Sequence, residues 1–266
     1  AISGQLTLTD YTVALSGTSA QVAGALDGTF ASTYTGAATV SDPHTLDQLK
    51  TINNGTTGTI TLNDVTVALT GSTADVKAAL DGTFAAAYTG NVTLNDSNGT
   101  GIAASDISTI AGDTSGTVTV SNNINLTGTA AEITTAVGDV NTFSGTPTTT
   151  LSTAHTLSQL ATINTAIAGA NTLNDSSVDL SGTAADVAAA LELISSYTGN
   201  VALTNAHTLA QLKTINHATS GTITLNDVTV ALVGSAADIK AALAGTFAAA
   251  YTGNVTITDA NGTGIA

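Results

Sequence analysis

The chain has 266 residues, 42% of them hydrophobic and only 9% charged, with neither Cys nor Trp. The apolar residues, mostly Ala, Val, Leu and Ile, suffice for a continuous core, while the absence of Cys excludes disulfides, Cys-ligated zinc and thiol chemistry. Nineteen acids face four lysines (Lys50, Lys77, Lys213, Lys240) and no arginine, for a net charge of −15, a balance that argues against nucleic acid or an anionic membrane surface as partner.

Taken in chain order, the first element is a strand over 5–9, inside "AISGQLTLTD". This N-terminus lacks the basic and apolar regions of a signal peptide and starts in mid-motif, so it reads as a slice of a longer repetitive protein. The next segment, "HTLDQLKTINNGTTGTITLND" (44–64), carries Leu46, Leu49 and Ile52 on one helical stripe. Thr45 and Gln48 form a capping box, His44 and Leu49 stand where a hydrophobic staple stands, and Asn53, Asn54 and Gly55 stop the helix. The strand "TITL" follows. The segment "VTVALTGSTADVKAALDGTFAAAYTGNVTLND" (65–96) opens with a further strand-like piece, read either as a separate strand or as 59–62 continuing around a corner. Ser72 and Asp75 predict a second capping box. Val76, Leu80, Phe84 and Tyr88 then run at i+4, with Gly82 placed to break the helix in two, before the strand "NVTL".

The rest of the chain repeats these pieces. Residues 58–103 and 221–266 align without gaps at 39 of 46 identical positions. The cap motif recurs at Thr18, Ser72, Thr129, Thr183 and Ser235, giving a unit of about 54 residues. Strand endings fall at Asp10, Asp42, Asp64, Asp96, Asn122, Thr153, Asp175, Asn205, Asp227 and Asp259, so turns of about 32 and about 22 residues alternate. Strand–helix alternation with short connections predicts parallel strands and right-handed crossovers. The expected fold is therefore an α/β solenoid of about ten coils over residues 1–266. Its units lie near 1–42, 43–96, 97–153, 154–205 and 206–266.

Strand residues alternate: Ile60 and Leu62 against Thr59 and Thr61, Val118 and Val120 against Thr117 and Thr119. A sheet covered on both faces would be apolar throughout. Helices on one face and an open, Thr-lined second face are expected. Thr7, Thr39, Thr61, Thr93, Thr119, Thr172, Thr224 and Thr256 would form its ladder, serving solubility or binding a periodic ligand such as ice or a glycan.

The acidic column, Asp10, Asp42, Asp64, Asp96, Asp175, Asp227 and Asp259, poses an electrostatic problem. Like charges about 4.8 Å apart repel by about 1 kcal/mol even in bulk water. The side chains cap backbone N–H groups, share protons, or bind structural Ca²⁺. The appearance of Asn and Thr in the same column favours capping. The loops 95–101 and 258–264 contain D-x-N-G, a fragment of a calcium loop without its later acid.

Catalytic motifs are missing. No G-x-S-x-G elbow, phosphate loop or nucleophile–base pair is present, and the expectation is that the chain is not an enzyme. His44, His155 and His207 share one repeat position, too far apart to share a metal. Tyr34, Tyr88, Phe143, Tyr197 and Tyr251, each before Thr-Gly or Ser-Gly, read as a core column.

The tandem "HTLAQLKTIN", "TSGTITLND", "TVALVGSAADIKAAL" and "AAAYTGNVTITD" of 207–259 resembles the repeat regions of very large bacterial, especially cyanobacterial, surface and secreted proteins of adhesin-like or hemolysin type. The resemblance implies an extracellular or cell-surface location and allows calcium, although the nonapeptide G-G-x-G-x-D is absent. Together these readings predict a structural repeat protein that forms a rod, fibre, sheath or surface layer. It would self-associate through its ends or through flanking repeats. The alternative is an adhesin or binding module using the Thr face.

Overall fold

The computed structural model describes residues 4–194 and 196–260. Among them, nine helices alternate with short strands, and the strands pair in parallel. The chain divides into two compact units. One runs up to Ile124 and takes in Gly138–Thr146; the other comprises Asn125–Val137 and the chain from Pro147 onward.

In the first unit, helices α1 (Ser19–Leu26), α2 (Leu46–Gly55), α3 (Thr73–Leu80) and α4 (Ala104–Asp113) pack each on the next. Their starts are fixed locally. The Gln48 N–H donates to Thr45 Oγ1 (3.3 Å) while the Thr45 N–H donates to Gln48 Oε1 (2.9 Å), the predicted capping box. Thr18 and Gln21 repeat it at α1. At α3 only half of the predicted box is made. Ser72 Oγ accepts from the Asp75 N–H, but the Asp75 carboxylate turns to the Ser72 hydroxyl (2.7 Å) and to Lys50 (2.7 Å). Aspartate is one methylene shorter than the Glu or Gln that closes such a box.

The i+4 stripe of Val76, Leu80, Phe84 and Tyr88 is helical only as far as Leu80. A Cβ on Gly82 would lie 2.0 Å from Asn53 Oδ1. Asn53 Nδ2 in turn donates to the Ala78 carbonyl (2.7 Å), satisfying one of the orphan acceptors at the end of α3. The chain leaves the helix there, and Phe84 and Tyr88 form parallel bridges with Ile60 and Thr114.

Two sheets accompany these helices. Leu15–Gly17, Ala38–Val40 and Ile60–Thr61 make one; Leu69–Gly71, Val92–Leu94, Val118–Val120 and Thr142–Phe143 make the other. Residues 59–69 thus hold two strands in different sheets, not one bent strand. For the same reason the recurring strands do not stack in one column: one strand closes a sheet and the next opens another. Within each sheet the expected alternation holds. Val92, Leu94, Val118 and Val120 are each 1% exposed. The outward rungs are in register, Ser16↔Thr39↔Thr61 and Thr70↔Thr93↔Thr119↔Thr142. The expected Thr ladder is present only in part: Thr39 pairs with Thr61 and Thr93 with Thr119, whereas Thr224 stands opposite Ala202 and Thr256 opposite Val233.

Helix α5 (Ala130–Asp139) gives most of its length to the second unit. There α6 (Leu157–Ala166), α7 (Ala184–Leu191), α8 (Leu209–Ala218) and α9 (Ala236–Leu243) again pack in sequence. Leu180–Gly182, Val201–Leu203, Thr222–Thr224 and Thr246–Phe247 form its largest sheet among the described residues. Small side chains fill the core: Ala184, Val187, Leu212, Ile215 and Ile223 are all fully buried. Ion pairs join neighbouring helices at Lys50–Asp75 (2.7 Å), Lys77–Asp106 and Lys213–Asp238 (2.5 Å). Exposed pairs of this kind add little stability; their value here is in setting how one helix sits on the next.

Candidate functional site

The seven aspartates singled out by the repeat fall into two sets with different work. Asp10, Asp64, Asp175 and Asp227 close their own turns. One carboxylate oxygen of each accepts both the N–H and the hydroxyl of the residue two positions on. The distances are 2.8 and 2.7 Å to Thr12, 2.7 Å twice to Thr66, 2.8 and 2.6 Å to Ser177, and 2.8 and 2.6 Å to Thr229. The hydroxyl bond first, and the amide bond second, hold these four carboxyls below the usual aspartate value.

Asp42, Asp96 and Asp259 reach instead to the N-terminus of a helix 23 residues earlier in the chain. Asp42 accepts from the Ser19 N–H (2.6 Å) at α1, Asp96 from the Thr73 N–H (3.0 Å) and hydroxyl (2.6 Å) at α3, and Asp259 from the Ala236 N–H (2.8 Å) at α9. Asn205 does the same for Ala184 (2.8 Å) and Thr153 for Ala130 (3.1 Å). The first amides of a helix have no partner within it, and the strand ending 21 to 23 residues further on supplies one. Any short side chain with an oxygen acceptor serves, which explains the exchange of Asp, Asn and Thr.

The structure therefore engages the seven aspartates separately and does not gather them. Among the described residues, no group of three or more His, Cys, Asp or Glu side chains could hold a metal ion. The D-x-N-G loop at 95–101 makes a tight turn with Gly99 at φ +77°. Asn98 Oδ1 accepts from the Asn123 N–H (2.9 Å), and Asn122 Nδ2 donates to the Asn95 and Asp96 carbonyls. Its copy at 258–264 extends beyond the described residues.

The most elaborate polar site involves the histidines, and the sequence reading missed its centre. His44, His155 and His207 are 3–4% exposed. Their Nε2 atoms lie 3.2, 3.0 and 3.1 Å from the hydroxyls of Tyr88, Tyr197 and Tyr251. Each hydroxyl donates to a valine carbonyl, Val67 (2.5 Å), Val178 (2.5 Å) and Val230 (2.6 Å). A tyrosine oxygen already donating its proton must accept from the imidazole, so Nε2 carries the hydrogen and Nδ1 is bare. All three Nδ1 atoms are buried without a partner.

The glycine two residues after each tyrosine completes the wall. A Cβ on Gly90, Gly199 or Gly253 would stand 2.0–2.1 Å from the oxygen of the same valine. This is the physical content of the recurring Tyr-Thr-Gly. Burial pushes the Tyr88 and Tyr197 hydroxyls well above the usual tyrosine value, with the Asp64 and Asp175 charges adding to it. Burial lowers the three imidazoles, partly opposed by Asp64 and Asp42 at His44, Asp175 at His155 and Asp227 at His207. The result is a neutral His–Tyr–carbonyl chain that joins three segments of one unit, once in each of the units near 43–96, 154–205 and 206–266.

Phe143 does not belong to the tyrosine column. Thr142–Phe143 pairs with Thr119 and Val120, as Thr246–Phe247 pairs with Thr222 and Ile223. The shared "TF" places it with Phe84 and Phe247, and the unit near 97–153 has no tyrosine and no histidine. The signal was in the sequence: His and Tyr occur 44, 42 and 44 residues apart and are missing together. No protein-family model, curated protein or solved structure matches the chain.

Proposed function

We propose that this chain is an extracellular structural repeat array, a solenoid that serves as a rod, fibre, sheath or surface layer and has no catalytic role. The observation that carries this reading is the way successive strand–helix turns close on one another. Helix N-termini, tyrosine hydroxyls and lysines find their partners 19 to 44 residues along the chain, so the polar groups are spent on joining those turns. Repeats that contact only their neighbours extend in one dimension.

Self-association, through the ends of the array or through flanking repeats, is part of the same reading. Electron microscopy of the native material, with analytical ultracentrifugation of the chain, tests this. Fibres, lattices or concentration-dependent oligomers are expected; a monomer at all concentrations with no ordered assembly would overturn the reading. Because every candidate aspartate already has backbone or hydroxyl partners, the melting temperature is expected to be the same with and without EDTA. A clear fall would restore the calcium ladder.

The in-register Thr rungs favour one second reading, a binding face for ice or a glycan. Thermal hysteresis or glycan capture lost on Thr61→Lys and Thr224→Lys would support it, and no binding by the unsubstituted chain would end it.

A further inference from the structure

The entry into α4 is built differently from the entries into α2, α6 and α8. After Asp42, Thr153 and Asn205 the chain runs through Pro or Ala and then His-Thr, and the helix begins at Leu46, Leu157 or Leu209. Between Asp96 and the start of α4 at Ala104 the path is longer, and Asn98-Gly99-Thr100-Gly101 stand where the histidine would be. The inserted residues form an ordered turn. The Thr100 N–H donates to the Ser97 carbonyl (3.1 Å), Gly99 takes φ +77°, and the Gly99 N–H donates to the Asn123 carbonyl (2.7 Å). Asn98 Oδ1 accepts from the Asn123 N–H (2.9 Å). The side-chain amide is thus held by its oxygen, and its Nδ2 makes no bond among the described residues. Ser97, Asn98 and Gly99 are exposed and Thr100 is half-buried, so the turn adds little to the core. Insertions of this kind in a repeat array fall on surface loops, where function concentrates.

We infer that Asn98 is an attachment site for an asparagine-linked glycan, with Asn98-Gly99-Thr100 as the acceptor triplet. Nδ2 forms a bond to C1 of a sugar activated as a glycosyl diphosphate. The C1–oxygen bond breaks, the diphosphate leaves with its electron pair, and the amide gives up one proton. Oδ1, the atom the fold uses, keeps its bond to Asn123. The same triplet recurs elsewhere, in segments whose groups the fold has already engaged. After Asn54, Thr56 is buried and its hydroxyl donates to the Gly36 carbonyl (2.7 Å). Asn125 Nδ2 donates to the Thr150 hydroxyl (3.1 Å). Asn91 and Asn254 lead straight into strands. After Asn95 and Asn174 the middle residue is an aspartate whose carboxylate holds a helix end or a turn. The copy at 261–263 lies outside the described residues. The inference rests on the extracellular part of the structural reading, since such triplets are modified in secreted chains.

The test takes the protein from the cells that make it. Cleavage before aspartate releases residues 96–105, DSNGTGIAAS, separately from 81–95, which hold Asn91. Mass spectrometry is expected to find sugar residues on Asn98 in the first peptide and none on the second. Asn98→Gln and Thr100→Val, made in the same cells, should lose the sugar, and Thr100→Ser should keep it. An unmodified 96–105 peptide, a deamidated Asn98 without sugar, a sugar kept by Thr100→Val, or as much sugar on Asn91 as on Asn98 would each overturn the assignment. Ordered assemblies by electron microscopy in material whose 96–105 peptide is bare would sink the glycan alone and leave the structural reading standing.

Discussion

Tyr88 and Tyr34 sit in the same local frame, yet one is held and the other is not. Tyr88 is 1% exposed, bonded to Val67 and to His44. Tyr34 is 5% exposed, and among the described residues its hydroxyl bonds to Val13 alone. The local sequence, from the aspartate turn to the Tyr-Thr-Gly, is enough to seat the ring on its own valine carbonyl. Completion of the site depends on His44, 44 residues earlier in the chain. Local turns build the walls of each socket, and stacking fills it.

Gly90→Ala is the harshest way to break the filled socket. Its Cβ would stand 2.1 Å from the Val67 oxygen, and Val67 is held from the other side by Tyr88. The expected loss is about 3 kcal/mol, from overpacking and a displaced hydrogen bond. Gly36→Ala makes the same clash with Val13, but the exposed Val13 segment can move, so its melting temperature should fall less. Equal falls would mean that the two sites are equally rigid and would remove the distinction. Tyr→Phe reads the same contrast through polarity. Tyr88→Phe strands a buried imidazole N–H and a carbonyl, at about 2 kcal/mol; Tyr34→Phe strands one carbonyl near solvent, at about 1 kcal/mol or less. Denaturant titration of the two variants decides the order.

Much of this was legible beforehand. The 54-residue period, the Thr45–Gln48 box and the alternation of Ile60 and Leu62 with Thr59 and Thr61 are short-range signals, and the structure carries all of them. What escaped depends on contacts between repeats. His44 looked like a staple because its apolar neighbours Leu46 and Leu49 are close in sequence, while Tyr88 is 44 residues away. A polar pair leaves no hydrophobic periodicity to read. Asp64 and Asp96 looked equivalent because each ends a strand. Only the fold shows that one closes its own turn and the other caps a helix 23 residues earlier. Phe143 was assigned by the Ser-Gly after it, although the Thr before it marks its true position.

That difference between the aspartates gives a milder test. Asp96→Ala removes the acceptor from the first amide and the hydroxyl of α3, and should cost about 1 kcal/mol. Asp96→Asn should be nearly silent, because Asn205 performs the same task at α7. If Asn were as damaging as Ala, charge and not the hydrogen bond would be holding the helix end. Asp64→Ala should cost less than Asp96→Ala, since the turn it closes is solvent-exposed.

The smallest expected effect separates the two kinds of site by pH. Burial holds His44, His155 and His207 below the ordinary value of 6.5. The unfolded chain therefore takes up protons first as the solution is acidified. The stability these groups contribute is complete above about pH 6.5 and declines as pH falls toward the folded-state values. The carboxyls of Asp10, Asp64, Asp175 and Asp227 lie below their ordinary 3.8. Their contribution is complete above that value and is lost only as pH falls through the lower folded-state values. Two acid steps are expected, and the first should lower the melting temperature by a few degrees at most. Replacing the three histidines by leucine should erase the first step and keep the second, since the tyrosine hydroxyls retain their valine carbonyls. A wild-type melting temperature unchanged between about pH 7.5 and about pH 5.5 would show that the buried imidazoles admit a proton without cost, and the unpartnered Nδ1 atoms would then have to be reached by water.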